Sequence, residues 1–308
     1  MWARISRSLG DYKVKRIECL CCGSKNLSQI VGLGLHPFAD SFFSDDDCFK
    51  GVRYYPLACL LCNVCGLIQT SCITKADDRY TEVDYAYNSE NSSLAREHWE
   101  GFVANHPSWG VQSGDSVVEV GSNDGYLLSL FKKVGCKTLG IDPAHTQSKR
   151  ARQRGLEIVE AVFTRALAME IRPKLESGCK LLVANNVFNH SDDPLNFLNG
   201  VSYLLEKRGV FVFEVPYWGN LVDDGKFEQI YHEHVSYFTV KSVKNLLHKA
   251  GMKIVQINLV QFHGGSLRVV ATNQDNPNYH AEFNTTEWEE REISAGFFST
   301  DFYMRFQK

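Results

Sequence analysis

The chain has 308 residues, 44% hydrophobic and 22% charged, with 33 Lys and Arg against 36 Asp and Glu and a formal net charge of −3. Such proportions exclude wholesale disorder, collagen-like sequence and low-complexity repeats. The near-neutral balance argues against nucleic acid as a partner, and no apolar run approaches the roughly 20 residues of a membrane span, so no membrane partner is expected.

The start, MWARISRSLG, lacks an apolar secretory core. A cytoplasmic location is expected, with a weak transit peptide as the lesser reading. The first eighty residues are rich in Cys, Gly and Asp and read as turns and short strands such as QIVGLGL. Of ten Cys, eight fall between Cys19 and Cys72. A secreted disulfide protein would spread them and carry a signal peptide, so metal is the better reading. Cys19-x-x-Cys22-Gly23 and Cys62-x-x-Cys65-Gly66 stand 39 residues apart. Each unit is a tight knuckle whose thiolates face one ion while Gly permits the turn behind them. Four thiolates make a closed tetrahedral site suited to structural Zn2+. Cys59 and Cys21 are near-redundant, and the Gly after Cys65 favours Cys62 and Cys65 over Cys59 and Cys62. Cys48, Cys72, Cys136 and Cys179 read as small core residues.

From about Ser113 short apolar runs alternate with helical stretches: SVVEV then YLLSLFKKV, KTLGID then HTQSKRARQR, KLLVANN then PLNFLNGVSYLL, and GVFVFEVP. The alternation predicts a parallel sheet covered on both faces, an α/β fold. Thr239 to Ala250 predicts a capped helix stopped by Gly251, followed by strands MKIVQINLV and SLRVVAT. EFNTTEWEEREISAGFFSTDFYMRF predicts a helical arm. Its aromatic residues Phe297, Phe298, Phe302, Tyr303 and Phe306 are expected to need another subunit.

VVEVGSNDGYLL places Glu119 at a strand end, then Gly121, Asn123 and Gly125 before a helix. The glycines let backbone approach a ligand closely, yet this is neither the Gly-x-Gly-x-x-Gly of dinucleotide enzymes nor a Walker loop. The acidic-x-Gly-x-x-x-Gly form resembles motif I of class I S-adenosylmethionine methyltransferases. A carboxylate beside it suits a cationic sulfonium, and Asp142 in TLGIDPA could accept from ribose hydroxyls. ANNVFNH follows the fourth strand and places Asn186 and His190 at the carboxyl edge of the sheet, where open α/β sheets bind ligands. PYWGNLVDDGKFEQIYHEHVSYF then concentrates Tyr231, His232, Glu233 and His234. An imidazole is a natural general base for a carbon acid, and a neighbouring Glu can steady its charged form. A second metal site on His232, Glu233 and His234 and a plain polar loop are the rival readings.

The order Cys-x-x-Cys-Gly, Cys-x-x-Cys-Gly-Leu-Ile-Gln, Tyr-x-Tyr-x-Ser, Glu-Val-Gly-Ser-Asn-Asp-Gly, Ile-Asp-Pro, Asn-Asn-x-x-x-His, Tyr-x-Glu-His, His-Gly-Gly resembles the nucleotide-sugar C-methyltransferases. These add methyl to C-3 of thymidine-diphosphate 4-keto deoxysugars. The resemblance implies a class I methyltransferase Rossmann-like fold with a small N-terminal zinc-binding domain (1–80), a methyltransferase domain (81–274) and a helical arm (275–308) opening a C-terminal domain. The chain stops at Lys308, so that domain is expected to be largely missing and the nucleotide grip incomplete. Cys19, Cys22, Cys62 and Cys65 would hold zinc, and Glu119, Gly121, Asn123, Gly125 and Asp142 the donor S-adenosylmethionine. His234 would be the base, with Glu233, Tyr231, His190 and Asn186 in support and Tyr87 joining from the N-terminal side. His263-Gly264-Gly265 matches a loop near the substrate.

The implied reaction is coherent. A C-4 ketone acidifies the C-3 proton, His234 removes it, Tyr231 or His190 steadies the enolate, and the carbon attacks the methyl. Two alternatives stand beside it: methyl transfer to another small-molecule acceptor, and an inactive truncated protein that binds donor or partner. Self-association through the aromatic arm is one further reading, with aggregation as its rival.

Overall fold

The computed structural model describes residues 8–9, 15–39, 53–74, 79, 90 and 92–306. Near the N-terminus β1 (Ser8–Leu9), β2 (Leu27–His36), β3 (Arg53–Cys62) and β4 (Ile68–Thr70) form a small sheet in which β3 lies between β2 and β4. QIVGLGL is thus the middle of a ten-residue strand rather than a short one. Ile30, Val31, Leu57, Leu61 and Ile68 bury one apolar cluster on it.

The central sheet begins with β5 (Ser116–Val120), β6 (Lys137–Ile141), β7 (Ile158–Val159), β8 (Cys179–Asn185) and β9 (Leu205–Pro216), all parallel where paired. β10 (Ser236–Tyr237) leaves this body and pairs antiparallel with β4, adding a strand to the N-terminal sheet. β11 (Met252–Val260) and β12 (Ser266–Asn273) close the edge as an antiparallel pair, giving the order β11-β12-β9-β8-β5-β6-β7. The strand KLLVANN is fourth because Ile158–Val159, unmarked by any long apolar run, intervenes.

Alternation along the strands serves two faces. Val117, Leu181, Val183, Val210 and Val212 pack with Trp99, Phe102, Leu127 and Phe131 of α1 (Ser93–Ala104) and α2 (Tyr126–Lys133). Val118, Leu182, Ala184, Phe211 and Phe213 face the other way. There α3 (His145–Gln153) and α4 (Arg165–Ile171) precede α5 (Pro194–Leu204) in the chain. Phe197, Leu198 and Val201 of α5 and Val243, Leu246 and Leu247 of α7 complete this second core. Between α5 and α7 lies α6 (Trp218–Asp223). Helix α7 (Val240–Lys249) starts as expected: Thr239 and Ser242 form a reciprocal capping box, and Gly251 follows at φ 70°.

The arm folds as α8 (Thr286–Ser294) and α9 (Thr300–Phe306), and Phe297, Phe298, Phe302 and Tyr303 pack within the chain. Phe297 and Tyr303 are buried against Trp218 and Tyr237, and Trp218 Nε1 donates to Tyr303 Oη at 2.7 Å. The half-buried Phe298 ring lies over Gly66 of the second knuckle, where a Cβ would come within 2.6 Å of it. Glu292, 0% exposed, accepts from the first N–H groups of α7 at Val240 and Lys241 and from the Tyr217 hydroxyl. The expectation that Phe297 and Tyr303 require a second subunit is corrected: a turn at Ala295–Gly296 folds them back, a step that composition does not announce.

Candidate active site

The site lies where β5 leads on one side to β6 and on the other to β8, the switch point at which open parallel sheets leave a crevice beyond their carboxyl ends. A cavity of about 570 Å³ fills it. Glu119, Gly121, Asn123, Asp142, Asn186, His190, Tyr231, Glu233 and His234 all line this one space, although four separate segments carry them.

The loop after β5 is built by its own backbone. Gly121 N–H donates to the Ile141 carbonyl at 2.7 Å, and Asn123 N–H donates to Asp142 Oδ2 at 2.9 Å. Asp142 Oδ1 accepts from Ala144 N–H at 2.8 Å. Asp142 therefore ties the ends of β5 and β6 together besides facing the cavity. Glycine is required at two positions. Gly121 has φ 72° and its Cβ would sit 2.1 Å from Val187 Cγ2; Gly125 has φ 78° and its Cβ would sit 2.3 Å from Leu156 Cδ1. Gly125 is not a lining residue; it lets α2 approach α3, which is a packing role. Gly121→Ala is expected to destabilise the fold by roughly 1–3 kcal/mol, from backbone strain with the clash added. A melting curve that coincides with wild type would refute this.

Burial governs the electrostatics of the pocket. Burial, with the charges of Asp124 and Asp142 added, holds Glu119 well above the usual carboxylate range, and its Oε2 has no hydrogen-bond partner among the described residues. The side-chain amides of Asn185 and Asn186 are likewise buried without a partner among the described residues, and Asn186 takes φ 55°. An orphaned carboxylate oxygen beside a glycine turn is the kind of group a polar, cationic ligand satisfies, so Glu119, Gly121, Asn123 and Asp142 fit a methyl donor.

Burial pushes His234 down to about 3 and His190 well below the ordinary imidazole range, so both rings are neutral at physiological pH. Their centroids are 5.1 Å apart. His234 Nδ1 lies 2.9 Å from the Gln229 carbonyl and its Nε2 2.7 Å from Tyr231 Oη. His232 points elsewhere: its Nε2 donates to the Pro56 carbonyl at 3.2 Å, and its ring packs on Phe38 and Tyr55. It thus belongs to the contact with β3. Tyr87 lies outside the described residues.

Several lining residues escaped sequence reasoning. Asn185 is the neighbour of the chosen Asn186, and the Asn-Asn pair at a strand end was a usable signal. Arg79 reaches the cavity from the N-terminal region, and its Nη2 donates to Asp192, which also accepts from Arg16. Behind His263, fully buried Glu214 accepts from His98 at 2.8 Å and Arg268 at 2.6 Å. Nothing in the sequence brings positions 98, 214 and 268 together.

The four cysteines of the knuckles also converge. Their sulfurs all lie within 4.8 Å of one another, with Cys19–Cys65 at 3.4 Å and Cys22–Cys62 at 3.5 Å. A tetrahedral zinc with Zn–S near 2.3 Å implies edges of about 3.8 Å, so the set fits the ion. Gly23 N–H donates to Cys19 O and Gly66 N–H to Cys62 O, both at 2.9 Å, so the two knuckles share one turn. Cys59 is buried in the apolar cluster of β2–β4, and Cys21 donates its backbone N–H to Cys19 Sγ. Cys72, Cys136 and Cys179 are buried thiols, while Cys48 lies outside the described residues. Among the described residues no other cluster has metal-ligand spacing, so His232, Glu233 and His234 form no second centre.

Sheet order, glycine turn and acidic residues at the β5 and β6 ends define a class I methyltransferase fold with an N-terminal cysteine module. A family model described as "Methyltransferase domain" matches residues 95–257, more than half the chain, and one described as "Putative zinc binding domain" matches 19–80. The chain therefore belongs to the methyltransferase-domain family. It is similar to the C-methyltransferase NovU of Streptomyces niveus, 33% identical over 255 residues, 82% of this chain and 60% of that protein. It is also similar to an uncharacterized methyltransferase of Mycobacteroides abscessus, 23% identical over 34% of this chain and 41% of that one. A solved S-adenosylmethionine-dependent methyltransferase from Clostridium acetobutylicum covers 58% of this chain and 92% of its own at 14% identity and TM-score 0.45. The chain thus spans about 60% of the length of NovU. No helix among the described residues is long and apolar enough to cross a membrane.

Proposed function

We propose that the protein is an S-adenosylmethionine-dependent C-methyltransferase acting on a nucleotide-linked 4-keto deoxysugar, with a structural zinc in its N-terminal module. The observation that carries this reading is the shared cavity. The Glu119–Asp142 side and the His190–Tyr231–His234 side face one space, so a donor and a carbon acid can meet there. The similarity to a protein named C-methyltransferase favours carbon as the methyl acceptor.

When bound, S-adenosylmethionine supplies an electrophilic methyl on a sulfonium. The residues of the chain do the rest. Asp142 provides negative charge and hydrogen-bond acceptors on the donor side, Glu119 offers its buried carboxyl to the ligand's polar groups, and the backbone of Gly121 lets the ligand approach. On the acceptor side the neutral His234 offers a lone pair for the C-3 proton. His190, also neutral, can donate an N–H to the oxygen on which charge develops.

Incubation with a thymidine-diphosphate 4-keto-6-deoxysugar and methyl-labelled donor is expected to place the label on C-3. Label on oxygen or nitrogen, or on no nucleotide sugar, would refute the assignment.

Asp142 gives a second check. Burial pushes its carboxyl up to about 6, against the opposing pull of the Ala144 and Asn123 N–H groups. As pH falls through that value the group protonates and loses charge and acceptor capacity. Donor affinity is expected to weaken below about pH 6 and to be flat above about pH 7, and Asp142→Asn is expected to weaken it roughly 10- to 100-fold at neutral pH. Calorimetry showing the same affinity at pH 5 and 7.5 would contradict the role.

A further inference from the structure

The turn that joins β11 to β12 holds three consecutive residues in the left-handed region: His263 at φ 47°, Gly264 at 78° and Gly265 at 102°. Glycine adopts such angles freely, whereas a histidine there carries backbone strain. Several contacts impose it. Gly265 N–H donates to the Phe262 carbonyl at 3.0 Å, and the Ser266 hydroxyl donates to the same oxygen at 3.1 Å. Tyr217 N–H donates to the Gly265 carbonyl at 3.2 Å, and Lys226 Nζ, paired with Asp224, donates to the Gly264 carbonyl. The Phe262 ring stacks on His98 at 3.9 Å, and His98 is fixed by Glu214, which Arg268 also binds. The half-buried His263 side chain lines the cavity within electrostatic reach of both His190 and His234, which places it on the acceptor side.

Strain kept at a residue that faces a cavity points to a task there rather than to packing. Burial holds the His263 ring below the ordinary imidazole range against the opposing pull of Glu214, so it carries one N–H and one lone pair. The charges around the turn are paired, Glu214 with Arg268 and Lys226 with Asp224. The partner suited to the ring is therefore a hydroxyl, which both gives and takes one hydrogen bond, rather than a phosphate. We infer that His263 is a specificity-determining residue that holds a ring hydroxyl of the acceptor sugar outside the reacting C-3–C-4 pair, which on a 4-keto-6-deoxyhexose is the C-2 hydroxyl. The inference rests on the reading of the cavity as a C-methylation site and names the substituent that its acceptor carries. Glu214, His98 and Arg268 are positioning residues: none of them lines the cavity, and they act through Phe262 and His263.

The test compares two acceptors on the full chain with saturating methyl donor: a thymidine-diphosphate 4-keto-6-deoxyhexose with its C-2 hydroxyl and the same compound without it. Wild type is expected to prefer the hydroxylated sugar by at least ~10-fold in kcat/KM, and His263→Gly to lose that preference with donor affinity unchanged. Glycine accepts φ 47° without strain, so the variant keeps the turn. A wild type indifferent to the hydroxyl overturns the inference, and so does a His263→Gly that keeps the wild-type preference. Equal slowing of the variant on both sugars, together with a lower melting temperature, marks a structural residue and overturns it too. If wild type methylates neither sugar on carbon, the C-methylation reading fails and this inference with it; a wild type that methylates carbon beside a variant of undiminished preference sinks this inference alone. Should His263→Gly not fold, as judged by its circular dichroism, His263→Asn decides, since Asn tolerates a positive φ but is too short to replace the ring. A reduced preference in His263→Asn supports the inference, and the wild-type ratio overturns it.

Discussion

His234→Asn is expected to lower methyl transfer to carbon roughly 10²–10⁴-fold while leaving donor affinity unchanged. Geometry matters at His234 before electrostatics does. The ring is fixed at both nitrogens, by the Gln229 carbonyl and by Tyr231 Oη, so its orientation costs nothing at the moment of reaction. Burial keeps it neutral, with the lone pair present throughout the working pH range. Asn can keep one hydrogen bond but cannot accept a proton. The loss should appear in kcat rather than in KM, because the missing function matters only in the transition state. A kcat within the scatter of wild type would remove His234 from the reaction.

Removing the metal is expected to have a still wider effect. Structural zinc in small cysteine modules contributes an apparent ~10–16 kcal/mol to folding, comparable to the whole stability of a typical domain at ~5–15 kcal/mol. The consequence should reach the cavity through a short chain of contacts. Gln69, buried in β4, accepts from Leu20 N–H at 2.9 Å and donates to the Glu18 carbonyl at 2.9 Å, on either side of Cys19. Its backbone pairs with Ser236 of β10, and Thr70 N–H donates to the Val235 carbonyl, the residue after His234. Asn245 of α7 also donates to the Cys65 carbonyl. The knuckles therefore hold the strand that begins two residues after His234. Cys62→Ser, or chelation, should release metal measurable by atomic absorption, expose the module to protease and abolish activity with donor and sugar both supplied. A metal-free chain with wild-type melting and turnover would contradict this.

What was legible in the sequence follows the range of the signals. The knuckles, the Gly121 turn, Asp142 at a strand end and the helix cap at Thr239 are local: residues within a few positions determine the geometry, and the structure shows these elements where the sequence places them. Helix α1 was equally readable, with Ser92 capping Ala95 N–H at 3.1 Å and buried Ala95, Trp99, Phe102 and Val103 on one face. Its strongly charged outer face masked it. The return of the arm, the departure of Ser236–Tyr237 to another sheet, and the meeting of His98, Glu214 and Arg268 join residues distant in sequence. No local propensity encodes such meetings. His232 shows the converse limit: composition grouped it with His234, yet their side chains face opposite sides of one turn, one toward Pro56 and one toward the cavity.

Hydrogen exchange at C-3 tests the central claim most directly. A nucleotide-linked 4-keto sugar held with the protein in deuterium oxide, without methyl donor, should acquire deuterium at C-3 much faster than the sugar alone, followed by proton NMR. Equal rates with and without protein, alongside confirmed binding of the sugar, would contradict the account.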